Sequence, residues 1–84
     1  MEFEARIEIM LKDTVSDPQG QAVCSALRNM GFSGTREVRV GKLIRLRLEA
    51  ENEGIAHAIV DEMCRKLLAN PVIENYGFEL GVCK

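Results

Sequence analysis

Few side chains in this sequence have the chemistry of a catalytic nucleophile, a general base or a soft metal ligand. His57 lies in the middle of a predicted helix, and no serine or cysteine stands at a recognisable nucleophile spacing. Cys24, Cys64 and Cys83 are odd in number and far apart, and no CxxC pair occurs, which argues against a disulfide framework and a zinc site. We therefore expect mostly buried, reduced thiols, no catalytic residues and no metal site on this chain.

Glycine-rich phosphate binding is the next chemistry to consider. The segment VRVGKL around Gly41 lacks the second glycine and the strand-to-helix context of a Walker loop, and DTVSD lacks the arginine that an acylphosphatase-like enzyme needs. Gly20 falls in the first turn of a predicted helix. Its missing side chain could leave amides open to an anion or to a neighbouring chain, or it could be ordinary variation at a helix start.

Length and composition limit the class of protein. The 84 residues, 46% of them hydrophobic, fit one domain spanning 1–84 with a thin core, so self-association is expected as a further source of stability. A formal charge of −2 disfavours a nucleic-acid partner, and the predicted middle strands carry no aromatic residues for stacking on RNA. No apolar run approaches the ~20 residues of a membrane span, and the N-terminus has no signal-peptide core. We expect a cytoplasmic protein without a membrane partner.

The first half of the chain predicts a strand followed by a helix. Apolar and mostly charged residues alternate over 3–12, which is the period of a half-buried strand. Asp17 can cap a helix, Pro18 suits its first position, and Gly31 can adopt the left-handed exit, so we predict a helix from Pro18 to Met30. Its apolar stripe, which we expect to face a core, comprises Ala22, Val23, Ala26, Leu27 and Met30.

The second half predicts a hairpin, a second helix and a last strand. Val38 and Val40 precede Gly41-Lys42, and alternation resumes over 44–49. Asn52 can cap a helix that ends near Ala69. Pro71 lacks an amide hydrogen and disfavours a helical Asn70, so we expect the chain to leave this corner extended, as the strand VIENYGFELGV. The apolar stripe predicted for the second helix comprises Ile55, Ile59, Val60, Met63 and Leu67.

The order β-α-β-β-α-β is typical of a ferredoxin-like α+β fold, in which two helices cover one face of a four-stranded antiparallel sheet. The uncovered face would carry interleaved charges, namely Glu4, Arg6, Glu8, Glu37, Arg39, Arg45, Arg47 and Glu49. That face is either solvated, with weak surface ion pairs, or a docking face. Because two apolar residues lie among the charges, docking is slightly favoured. The predicted self-association residues are Met10, Leu43, Arg45 and Arg47.

Three segments together resemble the PurS family, the small third subunit of phosphoribosylformylglycinamidine (FGAM) synthase. They are LKDTVSDPQGQAV, the hairpin REVRVGK and CRKLLANPVIENY, and they occur in the order and spacing of that family. The resemblance runs nearly end to end, and LLANPVIENY is its most specific part. The sequence departs at Thr14 and Ser16, where relatives usually carry Gly and Leu in the turn before Asp-Pro.

The resemblance implies a non-catalytic bridging subunit of purine biosynthesis. A glutaminase (PurQ-type) partner releases ammonia, a large ATP-dependent synthetase (PurL-type) partner uses it to make the formylglycinamidine, and this chain holds the two together, itself as a dimer or dimer of dimers. No cofactor is expected on this chain, because ATP, magnesium and glutamine are used by the partners. The alternative is a ferredoxin-like regulatory module that binds a small metabolite, which needs a pocket at the first helix start or under the Asn70-Pro71 corner.

Two ends of the predicted fold are our candidates for partner contact. The start of the first helix offers a cap, a proline and a glycine, and the corner after the second helix gathers charged and amide side chains. The predicted partner-contact residues are Asp17, Pro18, Gly20, Arg65, Lys66, Asn70, Pro71, Glu74 and Asn75.

Overall fold

A computed structural model of the protein describes residues 1–83. Three strands, two α-helices and one π-helical turn follow one another along the chain. Their bounds are β1 Glu2–Leu11, α1 Pro18–Asn29, β2 Gly41–Glu49, α2 Glu53–Met63, the π-helical turn Cys64–Leu68 and β3 Glu74–Val82.

The sheet is antiparallel in the order β2-β1-β3, with β1 in the centre. Ile7 pairs with Ile44 on one side and with Phe78 on the other, so apolar residues of all three strands share one face. The alternation in β1 is confirmed, because its odd-numbered residues from 3 to 9 are buried. Strand β1 therefore supplies most of the core.

Helix α2 covers the apolar face of the sheet. Asn52 caps it as predicted, because its Oδ1 accepts a hydrogen bond of 2.9 Å from the Ile55 N–H. The buried stripe is Ala56, Val60 and Cys64, one residue every four, which is the spacing of one helix face. The core side of the helix is therefore made largely of small residues.

The predicted α2 stripe is only partly correct. Val60 is buried, but Ile55 is exposed and Leu67 is 83% exposed. The exposure of Leu67 has a physical reason in the π-helical turn, in which the Ala69 N–H donates to the Cys64 carbonyl over 2.9 Å, five residues back. This extra residue per turn changes which side chains face the sheet, so Ala69 is buried instead of Leu67.

Helix α1 has the ends that the sequence predicts. The Asp17 carboxylate accepts the Gly20 N–H at 2.9 Å, Pro18 is the first helical residue, and Met30 is the C-cap. Gly31 leaves the helix with φ of +102°, the left-handed conformation expected of glycine there.

The predicted burial of the α1 stripe is wrong. Met30 is 72% exposed, Val23, Ala22 and Ala26 are also exposed, and only Leu27 is partly covered. No residue of α1 belongs to the core of the described chain. The molecule measures 51 × 30 × 14 Å, and its radius of gyration is 16.5 Å against about 12 Å for a compact chain of this length. We call residues 18–37 the arm, since they project from the sheet.

The arm is held at its base by four residues, Asp17, Gly20, Arg39 and Val40, which we call the arm junction. The second carboxylate oxygen of Asp17 accepts the Val40 N–H at 2.8 Å, and Arg39 donates to the carbonyls of Lys12 and Val15 at 3.0 and 3.1 Å. These bonds join the two ends of the arm to each other and to the loop after β1.

The arm junction explains why the predicted hairpin is wrong. Residues 35–40 form no strand, and Gly41-Lys42 begin β2 instead of forming a turn. The Val40 N–H donates to the Asp17 carboxylate, and the Arg39 side chain donates to carbonyls of the loop after β1. Since residues 35–40 are outside the sheet, neither Arg39 nor Glu37 lies on a strand of the charged face. The α+β class, the antiparallel sheet and the two helices are confirmed, but the sheet of residues 1–83 has three strands.

The corner after the second helix also differs from its prediction. The chain does not leave Asn70-Pro71 directly as a strand, because residues 71–73 form a turn. Asn70 organises that turn: its Oδ1 accepts the Val72 N–H at 3.1 Å, and its carbonyl accepts the Glu74 N–H at 2.7 Å. Strand β3 therefore begins at Glu74, since asparagine favours local side-chain turns.

Gly20 is closely packed, and this predicts a specific loss of stability on adding one methyl group. A Cβ at position 20 would overlap the Val38 carbonyl oxygen and the Asp17 carboxylate, whereas a Cβ at Gly34 would meet nothing within 4 Å. We expect Gly20→Ala to lower the free energy of unfolding by about 1–3 kcal/mol and Gly34→Ala to change it by less than about 0.5 kcal/mol. Urea unfolding measures both, and equal effects of the two substitutions would contradict the packing argument.

Candidate interaction surfaces

An apolar groove runs between α2 and β2 on the helix side of the sheet. Its volume is about 440 Å³, and its walls are almost entirely apolar. Leu67 is the most exposed side chain along it. The groove is lined by Leu46, Ile59, Met63, Leu67 and Leu68, with Glu62 and Lys66 at its rim. Within residues 1–83 no helix fills it, although it lies where a second helix would cover the sheet.

The exposed face of α1 is the second apolar surface. Val23 and Met30 are exposed on the helix, and Phe32, just after it, is 56% exposed. The single basic side chain in the last turn, Arg28, is directed back to its own chain, since it donates to the Thr35 carbonyl at 2.8 Å. The arm thus presents an apolar helix face with little charge on it.

The open face of the sheet, opposite to α2, carries interleaved charges, as predicted. Arg45 lies 3.3 Å from the Glu4 carboxylate, and Arg47 lies 3.7 Å from Glu2 and from Glu4. All of these side chains are at least partly exposed, so each pair contributes only about 0–1 kcal/mol. Arg45 and Arg47 therefore form weak pairs with carboxylates of β1.

The apolar members of the predicted self-association set lie on this open face. Met10 is 38% exposed, and its side chain occupies the space in which a Cβ of Gly41 would lie. Leu43 is 54% exposed and stands opposite Glu8. Their exposure is consistent with docking, but the apolar groove and the arm offer a larger apolar surface than these two side chains.

The predicted partner-contact residues divide between two ends of the molecule. Asp17 and Gly20 are buried in the arm junction, and Pro18 is exposed beside them. Arg65 and Lys66 are exposed on the π-helical turn. Their charges are partly satisfied within the chain, by Asp61 at 3.0 Å and Glu62 at 2.6 Å respectively.

At the corner itself, Glu74 serves a structural role. Its Oε1 accepts the Asn70 N–H at 2.8 Å, and its other oxygen lies 3.7 Å from the Lys42 ammonium at the start of β2. Pro71 and Asn75 are exposed. The structure therefore brings the predicted corner residues together around one turn, and Asn75 is the polar side chain there for which no internal bond is found within residues 1–83.

A small polar cluster connects α2 to β3. The Tyr76 hydroxyl donates to Asp61 at 2.7 Å, and the Arg65 Nε donates to the other oxygen of that carboxylate at 3.0 Å. The Tyr76 hydroxyl, and secondarily Arg65, hold the pKa of Asp61 below its ordinary value, while the same hydrogen bond raises the pKa of Tyr76. His57 lies against Phe78 with ring centroids 4.7 Å apart. These contacts explain the cluster as packing between helix and strand.

The thiols lie in structural positions. Cys64 is fully buried in the core, as predicted, and burial, with a smaller contribution from the Asp61 charge, raises its pKa. A raised pKa makes a thiol a poor nucleophile at neutral pH. Cys24 and Cys83 are half-buried, and all three cysteines are free.

The start of α1 has little capacity for an anion. The Gly20 amide is used by Asp17, and that carboxylate is 4% exposed and holds the Val40 amide as well. Hydrogen bonds from Gly20 and then Val40 hold the pKa of Asp17 below its ordinary value, so the negative charge is retained. The Val38 carbonyl lies where a Cβ of residue 20 would be, so glycine at this position allows another backbone segment to approach the helix start.

A metal site and a membrane-spanning helix are two further possibilities to consider for residues 1–83. No group of three or more histidine, cysteine, aspartate or glutamate side chains there is arranged to hold a metal ion. None of the helices within that range combines the length and hydropathy that crossing a bilayer requires.

Sequence reasoning missed the arm junction and the groove. Strand alternation placed Arg39 on the charged face, yet it donates to the carbonyl of Leu11 at the end of β1 and to two carbonyls of the loop that follows. The Asp-Pro-Gln-Gly start of α1 identified the cap but not its second acceptor bond to Val40. A buried carboxylate that joins two distant amides is a tertiary contact, so local pattern contains no signal for it.

The comparisons with known proteins agree with one another. The family model PurS, phosphoribosylformylglycinamidine (FGAM) synthase, matches residues 4–81. The PurS subunit of FGAM synthase from Synechocystis is 49% identical over 78 residues, which cover 93% of this chain and 78% of the relative.

Solved structures give the same result. The crystal structure of Methanocaldococcus jannaschii PurS, one of the subunits of formylglycinamide ribonucleotide amidotransferase in the purine biosynthetic pathway, superposes with a TM-score of 0.86 at 38% identity, covering 98% of this chain and 99% of that one. A chain of the PurLQS structure from Thermotoga maritima superposes with a TM-score of 0.89 at 34% identity, covering 96% and 99%.

The lowered pKa of Asp17 predicts a defined acid dependence of stability. Because the folded chain favours the carboxylate, it binds fewer protons than the unfolded chain below about pH 5, so this stabilisation is full near neutral pH and is lost as the pH falls through the lowered pKa. We expect Asp17→Asn to lower the thermal midpoint at pH 7, with a difference from wild type that shrinks toward pH 3. Asp13→Asn, at an exposed position, is the control and is expected to show no such convergence. A pH-independent difference for Asp17→Asn would contradict the assignment.

Proposed function

The chain belongs to the PurS family, and we propose that it is the bridging subunit of an FGAM synthase, one domain spanning 1–84 that joins a glutaminase subunit to an ATP-dependent synthetase subunit. The observation that supports this most directly is the near-complete match to PurS chains, one of them from a PurLQS structure. In this role ATP, magnesium and glutamine are used by the partner subunits, in the cytoplasm. The present chain holds those two subunits in position relative to each other.

Bridging has a physical rationale. Ammonia released into water is protonated and lost as a nucleophile, so the site that releases it and the site that uses it must be held together and shielded from solvent. A chain 51 Å long with several separate surfaces suits that task. The proposed rim contacts with the partners are the corner side chains, of which Arg65, Pro71 and Asn75 are exposed.

Self-association is the second part of the proposal. One apolar helix face, on α1, is uncovered, and one apolar groove, between α2 and β2, is unfilled in the described chain. We propose that α1 of one copy lies in the groove of another, which buries both surfaces and completes the two-helix layer over each sheet. The arm junction favours this exchange because it holds α1 away from its own sheet.

The regulatory-module alternative is not favoured by these observations. It requires a pocket at the helix start or under the corner. At the helix start the amides of Gly20 and Val40 are both taken up by Asp17, and at the corner Asn70 and Glu74 bond to each other.

The bridging role predicts assembly without intrinsic chemistry. The purified chain, mixed with PurL-type and PurQ-type subunits in the presence of glutamine and ATP, is expected to co-elute with them in size-exclusion chromatography, and alone to hydrolyse neither glutamine nor ATP. Arg65→Glu is expected to weaken co-elution while lowering the free energy of unfolding by no more than about 1 kcal/mol, since the pair with Asp61 that it breaks is exposed. Turnover by the lone chain, or no co-elution of the wild type, would contradict the proposal.

The exchange of α1 predicts which apolar residues control self-association. Val23→Glu and Met30→Glu place a charge on the exposed arm and are expected to shift the wild-type oligomer to monomer in sedimentation, since a buried unpaired charge opposes association. Leu43→Glu is the matched control on the open face of the sheet, because the exposure of Leu43 lies between those of Val23 and Met30. Monomerisation by Leu43→Glu alone would instead assign self-association to the open face.

A further inference from the structure

Two glycines on the open face of the sheet have no explanation within the chain itself. Gly77 and Gly81 lie in β3, and a Cβ on either would meet no atom within 4 Å. Neither glycine has a positive φ; within residues 1–83 that conformation occurs at Gly31. By contrast, a Cβ on Gly20 or Gly41 would overlap other atoms of the same chain. A glycine inside a strand weakens it and often marks the close approach of another backbone or a ligand.

The sheet register places these glycines opposite acidic residues. Gly77 pairs with Glu8 and Gly81 pairs with Glu4. Between them Arg6 lies opposite Glu79 in the strand register, so these two residues separate two shallow cavities. The cavity over Gly81 has a volume of about 490 Å³ and the one over Gly77 about 420 Å³, and Arg6 and Glu79 line both. We call this surface the trough.

Charge is distributed unevenly across the open face. On the β2 side, Arg45 and Arg47 neutralise Glu4 and Glu2 at 3.3–3.7 Å. On the β3 side, Glu8 and Glu79 form no ion pair within residues 1–83. Arg6 is the one basic residue that lines the cavity over Gly77, and the cavity over Gly81 is also lined by Arg47, which is already paired with Glu2 and Glu4. The trough therefore combines exposed strand backbone, at the two glycines, with carboxylates that form no ion pair within residues 1–83.

We propose that the trough is the docking site for an extended, lysine- or arginine-bearing segment of a partner protein subunit; this deepens the proposed bridging function and rests on it. Gly77 and Gly81 are four residues apart, which corresponds to about 13 Å at ~3.3 Å per residue. Side chains four residues apart on an extended segment have the same spacing and the same orientation, so two of them enter the two cavities. Glu8 and Glu79 pair with their charges, and the glycines allow the segment to lie close to β3.

Filling the trough is the direct test. Gly77→Val and Gly81→Val put a strand-favouring side chain into open space, so the thermal midpoint is expected to stay or rise. The affinity of the wild-type partner subunits for these variants, measured by titration with a labelled chain, is expected to fall about tenfold or more, because the added side chains block close approach. Higher stability with weaker binding is a result that a purely structural role of the glycines does not produce.

Charge reversal gives the second test. Glu79→Lys is compared with Glu49→Lys, the same change at the far edge of the same face. We expect Glu79→Lys to weaken partner binding and to reduce its dependence on salt concentration, and Glu49→Lys to leave both near the wild-type values.

The outcomes separate the trough from the bridging function. If the wild-type chain binds the partners and the glycine variants bind equally well, the trough proposal is overturned while bridging stands. If the variants change sedimentation of the chain alone, the trough is an interface between copies of this chain and the proposal is likewise overturned. If the wild-type chain binds no partner, the bridging function fails and the trough with it.

Discussion

The direction of the arm depends on one buried carboxylate. Asp17 accepts the amide at the start of α1 with one oxygen and the amide of Val40, just before β2, with the other. Because these amides lie at the two ends of the arm, a single side chain determines where the arm leaves the sheet and where it returns. Arg39 adds the loop after β1 to the same junction. The uncovered helix face, the open groove and the elongated shape all follow from this arrangement.

The consequence is a chain whose own core is small. β1 is buried between two strands and beneath α2, but α1 contributes nothing to that core within the described residues. Each exposed apolar side chain on the arm and in the groove forgoes stabilisation of about 25 cal/mol per Å² of surface that another protein could cover. Such a chain gains more from assembly than a compact monomer of equal length, which agrees with the role of a bridging subunit.

The two faces of the sheet differ in the kind of contact they suit. The helix side offers apolar surface with few charges, and the cores of stable self-interfaces have that composition. The open side offers charged pairs, two glycines and carboxylates that form no ion pair within residues 1–83, and these select a partner by electrostatic complementarity. A subunit that must bind itself and also different proteins benefits from keeping these two chemistries on opposite faces, because each contact then leaves the other accessible.

The sequence by itself determined the elements that depend on neighbouring residues. Alternation predicted β1 and the residues of β2 after Lys42, and the caps at Asp17 and Asn52 predicted both helix starts. Family resemblance, carried by local segments, predicted the function. The tertiary structure alone decided that α1 stays off its own sheet, that residues 35–40 stay out of the sheet and that Leu67 is exposed. The physical reason is that periodicity shows that a face is apolar but not what covers it, whereas the Asp17–Val40 bond and the π-helical turn depend on residues brought together by the fold.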